Sequence, residues 1–140
     1  MSFDLVHNGI ANLLKTQGLQ ESEEAVNYTN APPNTYNLSF ILKPLSGELA
    51  DDVSETCVDR LDDRQEWQIQ IAFERSAQTD FVNLGRLHRL KDTLIPIFDK
   101  PASWTSFVKI LKYTKWAVTE APNYFILDMR ILLRDTYIHS

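Results

Sequence analysis

Between residues 64 and 75 the chain alternates large apolar and polar side chains. Trp67, Ile69, Ile71 and Phe73 fall on one phase, and Glu66, Gln68, Gln70 and Glu74 on the other, with Ala72 neutral. A period of two puts four large apolar groups on one face of a strand and leaves the opposite face wet. Such a strand belongs to an antiparallel or mixed sheet with one covered face, so whatever else the chain forms must cover Trp67, Ile69, Ile71 and Phe73.

Helices are the available cover. Phe3, Val6, Ile10, Leu13 and Leu14 recur at helical spacing between Ser2, a candidate N-cap, and Gly18, a candidate C′ residue, and predict a helix over residues 3–17. After the central strand, Thr79 or Asp80 can cap a second helix, with Phe81, Leu84, Leu87, Leu90, Leu94 and Ile95 as its apolar stripe. Pro96 cannot continue a helix interior without losing a hydrogen bond, so regular helix is expected to stop near Ile95.

The remaining strands come from alternation and turn chemistry. A weak edge strand is expected over 25–28. Residues 30–34 then break the chain, and Tyr36, Leu38, Phe40 and Leu42 alternate up to Pro44. Residues 107–118 are rich in β-branched and aromatic side chains. A turn at 120–123 leads into Phe125, Leu127, Met129, Ile131 and Leu133, which alternate with Asp128, Arg130 and Arg134; the two segments pair as a hairpin. The expected fold is α+β, with one mixed or antiparallel sheet of four to five strands packed by two helices, in the order α-β-β-β-α-β-β. At 140 residues the chain is one domain on length.

From 46 to 63 no period holds. Glu48, Asp51, Asp52, Glu55, Asp59, Asp62 and Asp63 stand against Arg60 alone. The stretch reads as a long acidic loop, either an arm that meets a partner or faces a lumen, or a solvated hairpin loop. Its spacing lacks the alternating acids and central glycine of an EF-hand. The interface candidates are Gln68 and Gln70 on the wet face of the central strand, together with Trp104 and Trp116.

Little points to chemistry. The four glycines are scattered, so there is no phosphate-cradling loop, and His7, His88 and His139 form no metal-ligand spacing. Neighbouring carboxylates would raise the pKa of the single cysteine, Cys57, and blunt it. The pairs Asp51/Asp52 and Asp62/Asp63 sit at adjacent positions, which point apart more often than together, so acid–base work is not expected of them. A metal- or thiol-dependent enzyme therefore rests only on those pairs, Cys57 and the histidines. The net charge of −5 argues against a dedicated nucleic-acid binder. Arg86, His88, Arg89 and Lys91 make a basic helix face that Asp92 interrupts. No secretory signal and no membrane span is expected.

Four stretches taken together resemble the tail terminator family of long-tailed bacteriophages, whose members include the minor tail protein U type. These are the strand into an acidic segment at 36–47, the acidic turn into the Trp67 strand at 62–73, the helix at 80–98 and the closing strand at 124–137. Neck and tail-completion proteins share related topologies. The resemblance implies a structural virion protein at the head–tail junction, made in the host cytoplasm. It would form a homo-oligomeric ring, a hexamer in the family, at the head-proximal end of the tail tube. There it would stop polymerisation and meet the tail tube protein and a head–tail connector or neck protein. DNA would pass through without specific binding. Neither a cofactor nor a catalytic residue is implied. A connector or neck adaptor is the alternative.

Overall fold

The computed structural model describes residues 2–22, 27–33, 35–51, 60–76, 80–99 and 108–138; at 2, 3, 5, 98 and 99 and over 46–51, 60–64, 108–114 and 134–138 the description is of the backbone. The elements are α1 (Ser2–Thr16), β1 (Gln20–Glu21), β2 (Ser39–Asp51), β3 (Arg60–Glu74), α2 (Asp80–Asp99), β4 (Val108–Glu120) and β5 (Tyr124–Ile138). The class is α+β, in the expected order. One mixed five-stranded sheet runs β1-β2-β3-β5-β4, with β1 parallel to β2 and every other pairing antiparallel.

The Trp67 strand is the middle of that sheet. β3 pairs with β2 along one side and with β5 along the other. Trp67, Ile69, Ile71 and Phe73 are buried against Val6, Ile10 and Leu14 of α1 and Leu87 and Leu94 of α2, together with Phe125, Leu127, Met129, Ile131 and Leu133 of β5. Both helices therefore lie on the same face of the sheet, as the alternation requires.

Helix α1 ends in a Schellman turn. The Leu19 amide donates to the Leu14 carbonyl at 3.3 Å and the Gly18 amide to the Lys15 carbonyl at 3.1 Å, with Gly18 at φ 85°. Only glycine takes that backbone without strain. The turn drops Leu19 into the core and sends the chain into β1, where the Glu21 carboxylate meets the His7 ring at 2.5 Å.

Several boundaries differ from expectation, each for a physical reason. The edge strand is Gln20–Glu21. Of the expected 25–28, residues 25 and 26 lie outside the described residues, and Tyr28 sits buried in a turn. β2 begins at Ser39, because Leu38 has φ 59° and the Ser39 amide closes a turn on the Tyr36 carbonyl at 3.1 Å. It also runs on well past Pro44. A bulge between Pro44 and Ser46 makes Leu45 an extra residue and reverses the phase of everything beyond it. That is why 46–51 shows no period and reads as loop although it is strand. Positions 60–63 are likewise strand, with 61–63 held by partners on both sides and Arg60 paired to Ile138 of β5. The expected acidic loop is therefore largely a paired arm of β2 and β3, and only its connection, 52–59, lies outside the described residues.

Helix α2 continues through Pro96 to Asp99. Pro96 and Asp92, whose carbonyl loses its donor, are both exposed, while Ile95 and Ile97 pack on the core. The lost bond is thus opened towards solvent and the flanking contacts hold the helix. Phe81 was expected in the apolar stripe but stands 90% exposed in the first turn.

Candidate functional site

The sheet face away from the helices is the surface that the fold leaves for partners. Register assigns it. Across the sheet, Lys43, Gln68, Arg130 and Lys115 form one row, Ser46, Glu66, Leu132 and Lys112 a second, and Glu48, Arg64, Arg134 and Lys109 a third.

A roof of aromatic side chains closes one end of this face. Tyr28, Ala31, Ala72, Ala121, Tyr124 and Ile126 form a second buried cluster, with Tyr36 and Ile41 packed against it. The Tyr28, Tyr36 and Tyr124 rings lie 6.0–6.3 Å apart, centre to centre. The Tyr124 hydroxyl donates to the Pro32 carbonyl at 2.6 Å and accepts from the Tyr36 amide at 3.0 Å and the Thr35 amide at 3.3 Å. One side chain therefore ties Pro32, Thr35 and Tyr36 to β5. Asn123 adds a bond from its side-chain amide to the Ala31 carbonyl at 2.9 Å. Arg75 fastens the end of β3 to the β4–β5 turn, donating to the Ala121 carbonyl at 2.6 Å with its guanidinium 4.9 Å above the Phe125 ring.

Burial pushes the Tyr28 hydroxyl above its ordinary pKa, and its bonds with Ser22 and Ser39 pull the other way without cancelling the shift. A raised folded-state value means that the stabilisation is fully present below about pH 10, the ordinary tyrosine value. It is lost as the pH rises above that point, because the unfolded chain releases its proton first. Stability is therefore expected to fall at alkaline pH, and Tyr28→Phe is expected to flatten the fall. Denaturant unfolding between pH 8 and 11 reads both; identical pH slopes for the two proteins would count against it.

Beyond the roof the face is open and charged. Gln68 donates to the Asp128 carboxylate at 2.5 Å and Gln70 to the same oxygen at 3.4 Å. Arg130 stands 3.8 Å from Glu66 and 3.9 Å from Asp128. Both glutamines are half-buried and their amides are used within the sheet, so they brace the surface more than they offer it. Trp116 is 41% exposed on β4, opposite Met129 on the helix side. The Lys91 ammonium sits 4.0 Å over its ring and the His88 ring meets it edge-on at 6.0 Å. Its evident job is to seat α2 on the edge strand, and the interrupted basic helix face is engaged there through His88 and Lys91.

The other candidates divide by position. Glu48 and Asp51 lie on β2, and Asp62 and Asp63 lie on β3, opposite Ala50 and Leu49. Asp52, Glu55, Asp59, Cys57 and Trp104 fall outside the described residues, as does His139. The fold thus brings Gln68 and Gln70 together around Asp128, and gathers four of the acids on one arm. Asp128 and the tyrosine roof were missed from the sequence. The available signal was Tyr124 and Ile126, two apolar residues at the start of β5 on the phase that goes on to carry Asp128 and Arg130.

Among the described residues no three His, Cys, Asp or Glu side chains gather to hold a metal. Within them, too, no helix is long and apolar enough to cross a membrane. No family model matches this chain, and no curated protein matches it.

Proposed function

We propose that the protein is a structural virion component that forms a ring at the head-proximal end of a phage tail tube, ending tube growth and offering the surface on which the head is joined. The observation that carries the reading is the fold: two helices on one face of a five-stranded sheet, in the order α-β-β-β-α-β-β, with β2 and β3 running on as a paired acidic arm. That is the organisation that a resemblance to the tail terminators implies.

The physics of the surface supports it. A ring needs two different edges on each subunit that fit one another. β1 covers only Ser39 and Phe40 of β2, and among the described residues β4 pairs only with β5. Among the described residues long backbone edges are therefore present at both sides of the sheet, and such edges invite pairing with another chain. An acidic arm at the lumen would repel DNA phosphates and let a genome slide past.

Purified tail tube protein polymerising with and without this chain tests the reading. Tubes of arrested length, each capped at one end, are expected when it is present. Uncapped tubes of unchanged length distribution would rule it out.

A further inference from the structure

The sheet face away from the helices is divided by charge. On its β4–β5 half, register places Lys109, Lys112 and Lys115 beside Arg134, Leu132 and Arg130. Asp128 is the one acid that the described residues of β4 and β5 put on this phase. The β2–β3 half differs: there Lys43 and Arg64 stand against Glu48, Asp62, Glu66 and Glu74. Lysines three apart in an unbroken strand would alternate between faces. Bulges between Ile110 and Lys112 and between Tyr113 and Lys115 each insert one residue, and so bring all three lysines to one side.

Cations face cations across these strands. Lys115 stands opposite Arg130, and Lys109, Arg134 and Arg64 stand side by side on three successive strands. Like charges directly opposite one another destabilise a sheet, and a bound anion relieves them. Asp128 already accepts from Gln68 at 2.5 Å and from Gln70 at 3.4 Å, and lies 3.9 Å from Arg130. Among the described residues the helices cover the other face, and the tyrosine roof reaches only Ile41, Ala72 and Ile126. Lys115 is exposed.

The chemistry of the surface selects the anion. The cations recur on successive rows, about 7 Å apart along the strands, which suits an extended polyanion. Tyr113 and Trp116 take the opposite phase, that of Ile131 and Met129, and Tyr124 is buried in the roof. This half therefore has no aromatic platform on which unstacked bases could lie. Gln68 and Gln70 spend their amides on Asp128, so they do not read base edges. Phosphate contacts without base contacts hold a duplex by its backbone and are indifferent to its sequence.

We propose that the β4–β5 half of this face, through Lys109, Lys112, Lys115, Arg130 and Arg134, holds the phosphate backbone of duplex DNA without regard to sequence. The acidic β2–β3 half bounds the contact on one side. The net charge of −5 keeps it weak and strongly salt-dependent, as a surface that DNA slides over needs. The inference goes beyond the ring reading and stands whether or not copies of the chain close into a ring.

Fluorescence anisotropy of the full chain with a labelled mixed-sequence duplex, between about 50 and 200 mM salt, tests it. Five phosphate contacts give log affinity a slope of about −4 to −5 on log salt. Lys109→Gln/Lys112→Gln/Lys115→Gln is expected to reduce that slope by about three and to weaken binding about tenfold or more at the lower salt. Lys15→Gln/Arg86→Gln/Arg89→Gln removes the same charge from exposed positions on the helices and is expected to leave the slope unchanged. Both are expected to keep the circular dichroism spectrum of the unmodified chain. If the first misfolds, Lys115→Gln alone, at an exposed position, is expected to lower the slope by about one. No duplex binding by the unmodified chain at the lower salt would overturn the inference. So would equal losses in the two triple variants, which would make net charge the cause, or tighter binding of a single strand than of the duplex. Tail tube protein binding that is lost on lysine replacement, with duplex affinity unchanged, would overturn it in favour of an acidic protein surface.

Discussion

Trp67→Ala is expected to destabilise the fold by about 3–5 kcal/mol, the usual cost of deleting a large aromatic group from a packed core. Trp67 is 1% exposed and sits on the central strand, in register with Pro44 on one side and Ile131 on the other. Its ring lies in the cluster that joins α1, α2, β3 and β5. No other element can move in to fill the space without breaking the ladder that holds β3 on both sides. The indole N–H also donates to the Gln65 side chain at 2.7 Å, a bond lost with the ring. Domains of this size are stable by about 5–15 kcal/mol in total, so this one change removes a large share. Urea unfolding of wild type and variant measures it. A loss under about 1 kcal/mol would mean that Trp67 is not core.

Tyr124→Phe is expected to cost about 1–3 kcal/mol, and to do so locally. The change keeps the ring, which is fully buried, and removes only the hydroxyl on which the Pro32 carbonyl and the Tyr36 and Thr35 amides converge. Stranding part-buried partners costs more than a balanced exchange of hydrogen bonds. The expected signature is faster hydrogen exchange at the Tyr36 and Thr35 amides, with the β3 and β5 amides unchanged. Uniform acceleration across the sheet, or none at all, would show that the hydroxyl does not hold this segment.

Where the sequence was legible, a single periodicity ran unbroken. β3 and β5 are bulge-free where they pair with each other, and their inner faces could be named residue by residue. Legibility failed where a local event reset the period. The extra residue at Leu45 hid the second half of β2, and the two bulges in β4 hid the fact that its lysines share a face. Tyr28 failed differently. It is buried by contacts with Tyr124 and Ser39, far along the chain, which no local pattern encodes. Phe81 fits the helical stripe by spacing but lies in the first turn, where it is exposed. Trp116 was recognisable as an amphipathic anchor, and what it anchors turned out to be α2 of its own chain. The candidate surface was half visible: its glutamines and acids were readable, while Asp128 and the shared face of Lys109, Lys112 and Lys115 emerge only once strand order and register are known.

Mass measurement of the purified protein, alone and bound to tail tubes, tests the central claim most directly. A closed multimer of one defined size on the tube end is the predicted result, with free monomer in isolation compatible because assembly can require the tube. A strict monomer under both conditions, never found on a tube, would contradict it.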